Sequence, residues 1–174
     1  DMSKIGHESW CNAMPAYIAE QKTGGIKWVG GFGNNRKQNL PYIMGVVLLT
    51  DPHTGFVKAI MDGRAISDFR TGASAAVFAR YLSMTPLEHI LIVGAGVQGQ
   101  MAAKCLHHEF PESRIGLYDL SAERVRGFKE TQTGTTLGDK LDVSGELESD
   151  CRKSQLVVLL TTAQSPFVKN EWIE

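Results

Sequence analysis

Residues 90–99, Ile-Leu-Ile-Val-Gly-Ala-Gly-Val-Gln-Gly, run a short apolar segment straight into a G-x-G-x-x-G loop. An apolar strand that ends this way must turn sharply at Gly94 and enter a helix just after Gly96. The first glycine supplies the bend, and Gly96 lets backbone approach a pyrophosphate. Gly99 lets the helix pack closely on the sheet. The first turn of that helix, which holds Val97 and Gln98, presents unpaired N–H groups and the positive dipole end to phosphate. Asp119 follows Gly99 by twenty residues, at the tip of a second apolar run, Ile115–Tyr118. An acid there accepts from ribose hydroxyls. Glycines alone fit any strand–turn–helix. Strand, glycines, helix and acid in register point to a nicotinamide dinucleotide, NAD, with NADP also possible.

The pattern after residue 88 alternates. It predicts a strand at 89–93, a helix at 97–108, a strand at 114–119 and a helix at 121–131. A short strand near 140–143, a helix near 145–152 and a strand at 155–161 follow. Such alternation implies right-handed crossovers and a parallel sheet, a Rossmann-type doubly wound α/β fold. Leu156–Leu160 is continuously apolar, as a strand buried on both faces is. Thr161, at the end of that strand, lies where such sheets bind ligands, or it satisfies terminal backbone groups.

The first half reads differently. Met14–Ile18 and Gly25–Val29 predict strands, and the stretch from Gly30 to Asn35 reads as punctuation because no helix-forming segment follows it. Tyr42–Thr50 and Phe56–Met61 flank strong turn chemistry at Asp51–Gly55, a hairpin signal ended by Asp62-Gly63. An alanine-rich helix is expected over 66–82. Pro86 marks a boundary, giving part of an α+β domain at 1–85 and part of a dinucleotide-binding domain at 86–174. With too few strands for a full doubly wound sheet, the chain is expected to be a segment of a longer protein, cut at both ends. A helix is expected to begin near Trp172.

Composition narrows the function classes. A net charge of -1 lacks the basic surplus that nucleic-acid binding needs. No stretch approaches the roughly 20 apolar residues of a membrane span. Cys11, Cys105 and Cys151 are widely spaced and odd in number, so they read as reduced thiols in a cytoplasmic protein rather than as a metal site. His107-His108 point to different faces of a helix, a poor ligand pair at a solvated helix end. No metal is expected.

The segment Asp62-Gly-Arg-Ala-Ile-Ser-Asp-Phe-Arg-Thr-Gly-Ala73 is more specific than the glycines. Preceded by Asp51-x-x-Thr-Gly55 and followed by the Gly94 loop, it resembles the ornithine cyclodeaminase/mu-crystallin family from about Met14 to the chain end. The resemblance implies a substrate and dimerisation domain joined to a Rossmann domain, and a homodimer. It implies that Lys27 and Arg70 hold a substrate α-carboxylate and that Thr71 touches cofactor phosphate, with Arg70 close to both ligands. Val97 and Gln98 would lie on the pyrophosphate and Asp119 on the ribose. A general acid/base aspartate is expected beyond residue 174, and a second carboxylate-binding arginine before Asp1. Tyr42 departs from the pattern, standing where many relatives carry a small hydroxyl residue.

The implied activity is hydride transfer at Cα of a small α-amino acid through an imine. Ornithine cyclodeamination to proline and ammonia is one form; alanine-type dehydrogenation and reduction of a cyclic imine are others. A ligand-binding protein without turnover, like mu-crystallin, is the alternative of another class, but a pure binder has no need of Lys27 and Arg70. A planar guanidinium beside a point charge suits a carboxylate held in a shielded site. Read alone, Arg70 serves equally as an ion-pair partner of Asp68 or a helix cap. Lys27 then snorkels beside Trp28, and Thr71 stabilises a helix start.

Overall fold

The computed structural model describes residues 9–83 and 86–173, and within it the chain forms two compact units, one up to Ser67 and one from Asp68. The division falls inside α1 (Gly63–Leu82). The boundary expected at 85/86 lies partly outside the described residues. Ala76 and Ala79 of α1 are buried in the core of the second unit.

The first unit is an antiparallel sheet in the order β1-β2-β3-β4, with β1 at Ser9–Ile18, β2 at Thr23–Phe32, β3 at Ile43–Thr50 and β4 at Val57–Asp62. Pro15 sits in β1, an edge strand, where a missing N–H breaks no ladder. Gly30 and Gly31, expected as punctuation, lie inside β2. Each pairs with β1 on one side and β3 on the other, and that two-sided pairing overrides the low strand propensity of glycine. The turn between β3 and β4 forms as expected. Asp51 accepts from the amides of His53 (3.0 Å) and Thr54 (3.1 Å) and pairs with Lys58 (3.0 Å). The Lys58 ammonium and these amides hold its carboxyl well below the usual range.

The second unit is a parallel sheet in the order β7-β6-β5-β8, with β5 at His89–Val93, β6 at Arg114–Tyr118, β7 at Leu141–Val143 and β8 at Leu156–Leu159. Counted from β5, this is the strand order 3-2-1-4 that opens a Rossmann fold, with the change of direction between β5 and β8. Both faces are covered. Ile90, Ile92, Ile115 and Leu117 pack with Ala102, Ala103 and Leu106 of α2 (Val97–Glu109) and with Val125 and Phe128 of α3 (Ala122–Thr131). Leu91 and Val93 face the other way, with Cys151 of the short helix Leu147–Lys153. Alternate residues of one strand feeding two cores is what a sheet covered on both sides requires.

Four features differ from expectation. Leu156–Val158 are only half-buried, because among the described residues β8 pairs with β5 alone. A short helix at Thr136–Lys140, capped by the Thr135 hydroxyl, precedes β7. His107 does not end in solvent; its Nε2 lies 2.9 Å from the hydroxyl of Thr136. Near Trp172 the expected helix is one 3-10 turn, Asn170–Trp172. Among the described residues no helix is long and apolar enough to cross a membrane.

The same substitution should act in opposite directions at two glycines. A Cβ on Gly99 runs into the Gly94 carbonyl, whereas one on Gly127, in the exposed face of α3, meets nothing within 4 Å. Gly99→Ala should lower stability by about 2 kcal/mol or more. Gly127→Ala should raise it by about 0.5–1 kcal/mol through helix propensity. Urea unfolding of the intact protein measures both. Equal effects would show that the close approach at Gly99 bears no energy.

Candidate functional site

The strands of the parallel sheet all end at one edge, and there the second unit gathers most of the residues singled out above. Gly94, at the end of β5, adopts φ +110° and donates its amide to the Tyr118 carbonyl of β6 (2.7 Å). A side chain at Gly94 would collide with the Leu160 carbonyl and come within 3.3 Å of Thr161 Cγ2, so Thr161 stands beside the glycine loop. Gly94 and Gly99 are therefore demanded by the chain itself.

Gly96 is not. Its φ of -70° suits any residue, and a Cβ there would meet nothing within 4 Å. Packing within the protein gives no reason for glycine at this position, while a pyrophosphate lying against the loop does. The start of α2 agrees. Gly96 provides no side-chain cap, and no acidic residue occupies the first turn. The N–H groups of Val97, Gln98 and Gly99 meet no acceptor among the described residues. Orphan donors at a helix start that no side chain satisfies are an anion site in waiting. The side-chain amide of Gln98 is engaged elsewhere, donating to Asp68 Oδ1 (2.9 Å). What Gln98 offers a phosphate is its backbone N–H.

Asp119 stands at the tip of β6 with its side chain 12 % exposed. It accepts from the amides of Ala95 (2.8 Å) and Ser121 (2.9 Å) and from Arg124 Nη1 (3.1 and 3.2 Å). Burial pushes its carboxyl up, but the Ser121 and Ala95 amides and the Arg124 guanidinium outweigh it and hold the group below its ordinary value. Asp119 is thus an ionised acceptor tied to the glycine loop through Ala95.

Arg70 and Thr71 are exposed on α1. The Arg70 guanidinium donates to the Ser74 hydroxyl, which donates in turn to the Arg70 carbonyl (2.9 Å). Arg70 makes no ion pair among the described residues, so its proposed pairing with Asp68 is not met; the Asp68 carboxylate receives Gln98. In the first unit, Lys27 lies on β2 between Met14 and Val47, half-buried, and donates from Nζ to Ser67 Oγ (3.0 Å). It does not lie alongside Trp28, whose side chain takes the opposite face of the strand. Tyr42 accepts from the Trp10 indole N–H (3.2 Å). Cys105 and Cys151 are buried, and burial pushes both thiols up, away from nucleophilic chemistry.

Sequence patterns did not reveal the Gln98–Asp68 link, the grip of Ala95 on Asp119, or the contact of Arg124 with that acid. Each joins residues apart in sequence through a side chain whose direction no spacing rule supplies. For Arg124 there was one signal, its place a helical turn after Asp119.

Known proteins share this fold. Residues 2–174 match the ornithine cyclodeaminase/mu-crystallin family. Alanine dehydrogenase of Archaeoglobus fulgidus is 29% identical over 93% of this chain and 48% of its own. A structure of Thermococcus litoralis Δ1-pyrroline-2-carboxylate reductase in complex with NADH and L-proline superposes with a TM-score of 0.85 at 30% identity. It covers 96% of this chain and 51% of that one. An archaeal alanine dehydrogenase dimer with bound NAD gives a TM-score of 0.85 at 27% identity, over 97% and 51% of the two chains. The chain spans about half the length of the curated relatives it matches. A family match over nearly every residue, joined to the glycine loop, the Arg70-Thr71 segment and Asp119, makes this chain a member of the ornithine cyclodeaminase/mu-crystallin family.

Proposed function

We propose that the protein is an NAD-dependent oxidoreductase that moves a hydride to or from Cα of a small α-amino acid, with an imine as the oxidised partner. The observation that carries this reading is the uncapped start of α2 in front of an unobstructed Gly96, with the ionised Asp119 at the next strand tip. NADH and L-proline in the Thermococcus litoralis relative supply the ligand classes. The second unit would hold the dinucleotide: Gly94, Gly96, Val97, Gln98 and Gly99 along the pyrophosphate, Asp119 on the adenosine ribose, and Thr161 at the strand edge. Thr71 would touch phosphate. A bound nicotinamide would accept or return the hydride.

The chain's own part in the chemistry is positioning. Arg70 holds the substrate carboxylate with its planar fork, and Lys27 adds a second charge. Orientation of this kind converts directly into rate. Oxidation takes a hydride from Cα and a proton from nitrogen, leaving an imine. Water then adds to it and ammonia leaves, giving an oxo acid. In cyclodeamination of ornithine the side-chain amine adds instead, ammonia leaves and the hydride returns. Relatives named as an alanine dehydrogenase and a Δ1-pyrroline-2-carboxylate reductase, at 29% and 30% identity, favour dehydrogenation or imine reduction over cyclodeamination. The buried thiols Cys105 and Cys151 suit a reducing cytoplasm.

The first unit would carry the substrate and the dimer contact. One face of its sheet exposes Ile26, Trp28, Val46 and Ile60, Trp28 paired with Val46 across β2 and β3. A contiguous apolar face of this kind marks an interface. The archaeal alanine dehydrogenase relative is a dimer.

Three measurements follow. NADH should bind the intact protein more tightly than NADPH, because Asp119 accepts from a 2′-hydroxyl and repels a 2′-phosphate. Gly96→Ala should weaken both coenzymes while leaving stability within about 0.5 kcal/mol. Fluorescence titration beside thermal unfolding decides this, and tighter NADPH binding would reverse the assignment. Arg70→Lys keeps the charge but loses the fork, so kcat/KM for the amino acid should drop about ten- to a hundredfold, with coenzyme affinity changed far less. Unchanged turnover would remove Arg70 from the site. Light scattering at micromolar concentration should return a dimer mass or a multiple of it; a monomer would refute the interface.

A further inference from the structure

Asp119 has no acceptor capacity left. A carboxylate offers about four lone-pair directions. Oδ1 takes the Ser121 amide and Arg124 Nη1, and Oδ2 takes the Ala95 amide and the same Arg124 nitrogen. A ribose diol can reach this acid only by displacing a donor. Two of the three donors are backbone amides fixed by the glycine loop and by the start of α3. The third is a side chain.

Arg124 is built to leave. It is 54 % exposed, and it spans both oxygens with one nitrogen at 3.1 and 3.2 Å. Its Nε and Nη2 donate to nothing among the described residues. Arg114 and Asp142, on β6 and β7, show what a committed pair looks like: a two-nitrogen fork at 2.8 and 2.6 Å. A single shared nitrogen at longer range gives up its partner more readily than a fork does.

We propose that Arg124 is a displaceable cap on Asp119 that widens the adenosine subsite to a 2′-phosphorylated ribose. When a ribose diol arrives, the guanidinium swings off the acid. When a 2′-phosphate arrives, the same guanidinium turns its unused Nε and Nη2 donors to the phosphate and neutralises Asp119 beside it. The chain therefore prefers NAD without excluding NADP, and the width of that preference is set by Arg124. This rests on the dinucleotide reading above.

The test is titration of the intact wild-type protein and of Arg124→Ala and Arg124→Gln with NADH and with NADPH, each at low and high salt. Loss of one charge-assisted contact should weaken NADPH binding by about tenfold in both variants. NADH should bind unchanged or up to about fivefold tighter, since nothing need be displaced. In wild type, added salt should weaken NADPH more than NADH, and the difference should shrink in the variants. Equal losses for both coenzymes, or an unchanged NADPH affinity, would overturn the inference while leaving the dinucleotide reading intact. A folded wild-type protein that bound neither coenzyme would overturn both.

Discussion

The contact between Gly99 and the Gly94 carbonyl sets the geometry on which the second unit depends. With no Cβ on Gly99, α2 starts directly over the end of β5. Ala102, Ala103 and Leu106 then reach the sheet and bury against Ile90 and Ile92. Burial of each large apolar side chain stabilises by about 1.5–3 kcal/mol. That energy holds a helix end whose first N–H groups meet no acceptor among the described residues. Val97 is exposed there and Gly96 and Gln98 are partly exposed, and a polar group facing water is not penalised as a buried one is. The open donors at the helix start thus come with how closely one helix is packed.

Charge is arranged on the same plan. Arg114 and Asp142 join the start of β6 to β7 by a fork at the sheet end opposite the loop. Asp119, at the other end of β6, is held by amides of the glycine loop and of the α3 start, with the guanidinium as a looser third partner. One strand therefore carries a two-nitrogen ion pair at one end and an amide-held acid at the other. They differ in donor geometry, not in residue type.

The first unit works by register. Pairing of β2 with β1 and β3 puts Lys27 on one face and Ile26 and Trp28 on the other, so one half-buried charge and one exposed apolar surface come from adjacent residues. A slip of one residue would exchange the two faces. The glycines of β2 belong to this scheme as strand residues, which is why their local propensity misled.

Much of this was legible in the residue order alone. The parallel sheet, its helices, the hairpin and the glycine loop follow from periodicity and turn chemistry, which are local properties. The family signal in Arg70-Thr71 and the spacing of Asp119 from Gly99 were equally visible. What the residue order did not contain was the direction of side chains that meet across elements. Gln98 turns to Asp68, Lys27 to Ser67 rather than to Trp28, and Arg124 back to Asp119. Nor did it show that a Cβ at Gly96, alone of the three loop glycines, meets nothing within 4 Å among the described residues. The sequence by itself determined which elements form and in what order, because those choices depend on neighbours along the chain. Tertiary structure decided which donors are already taken and which remain open, because hydrogen-bond partners are set by distances through space.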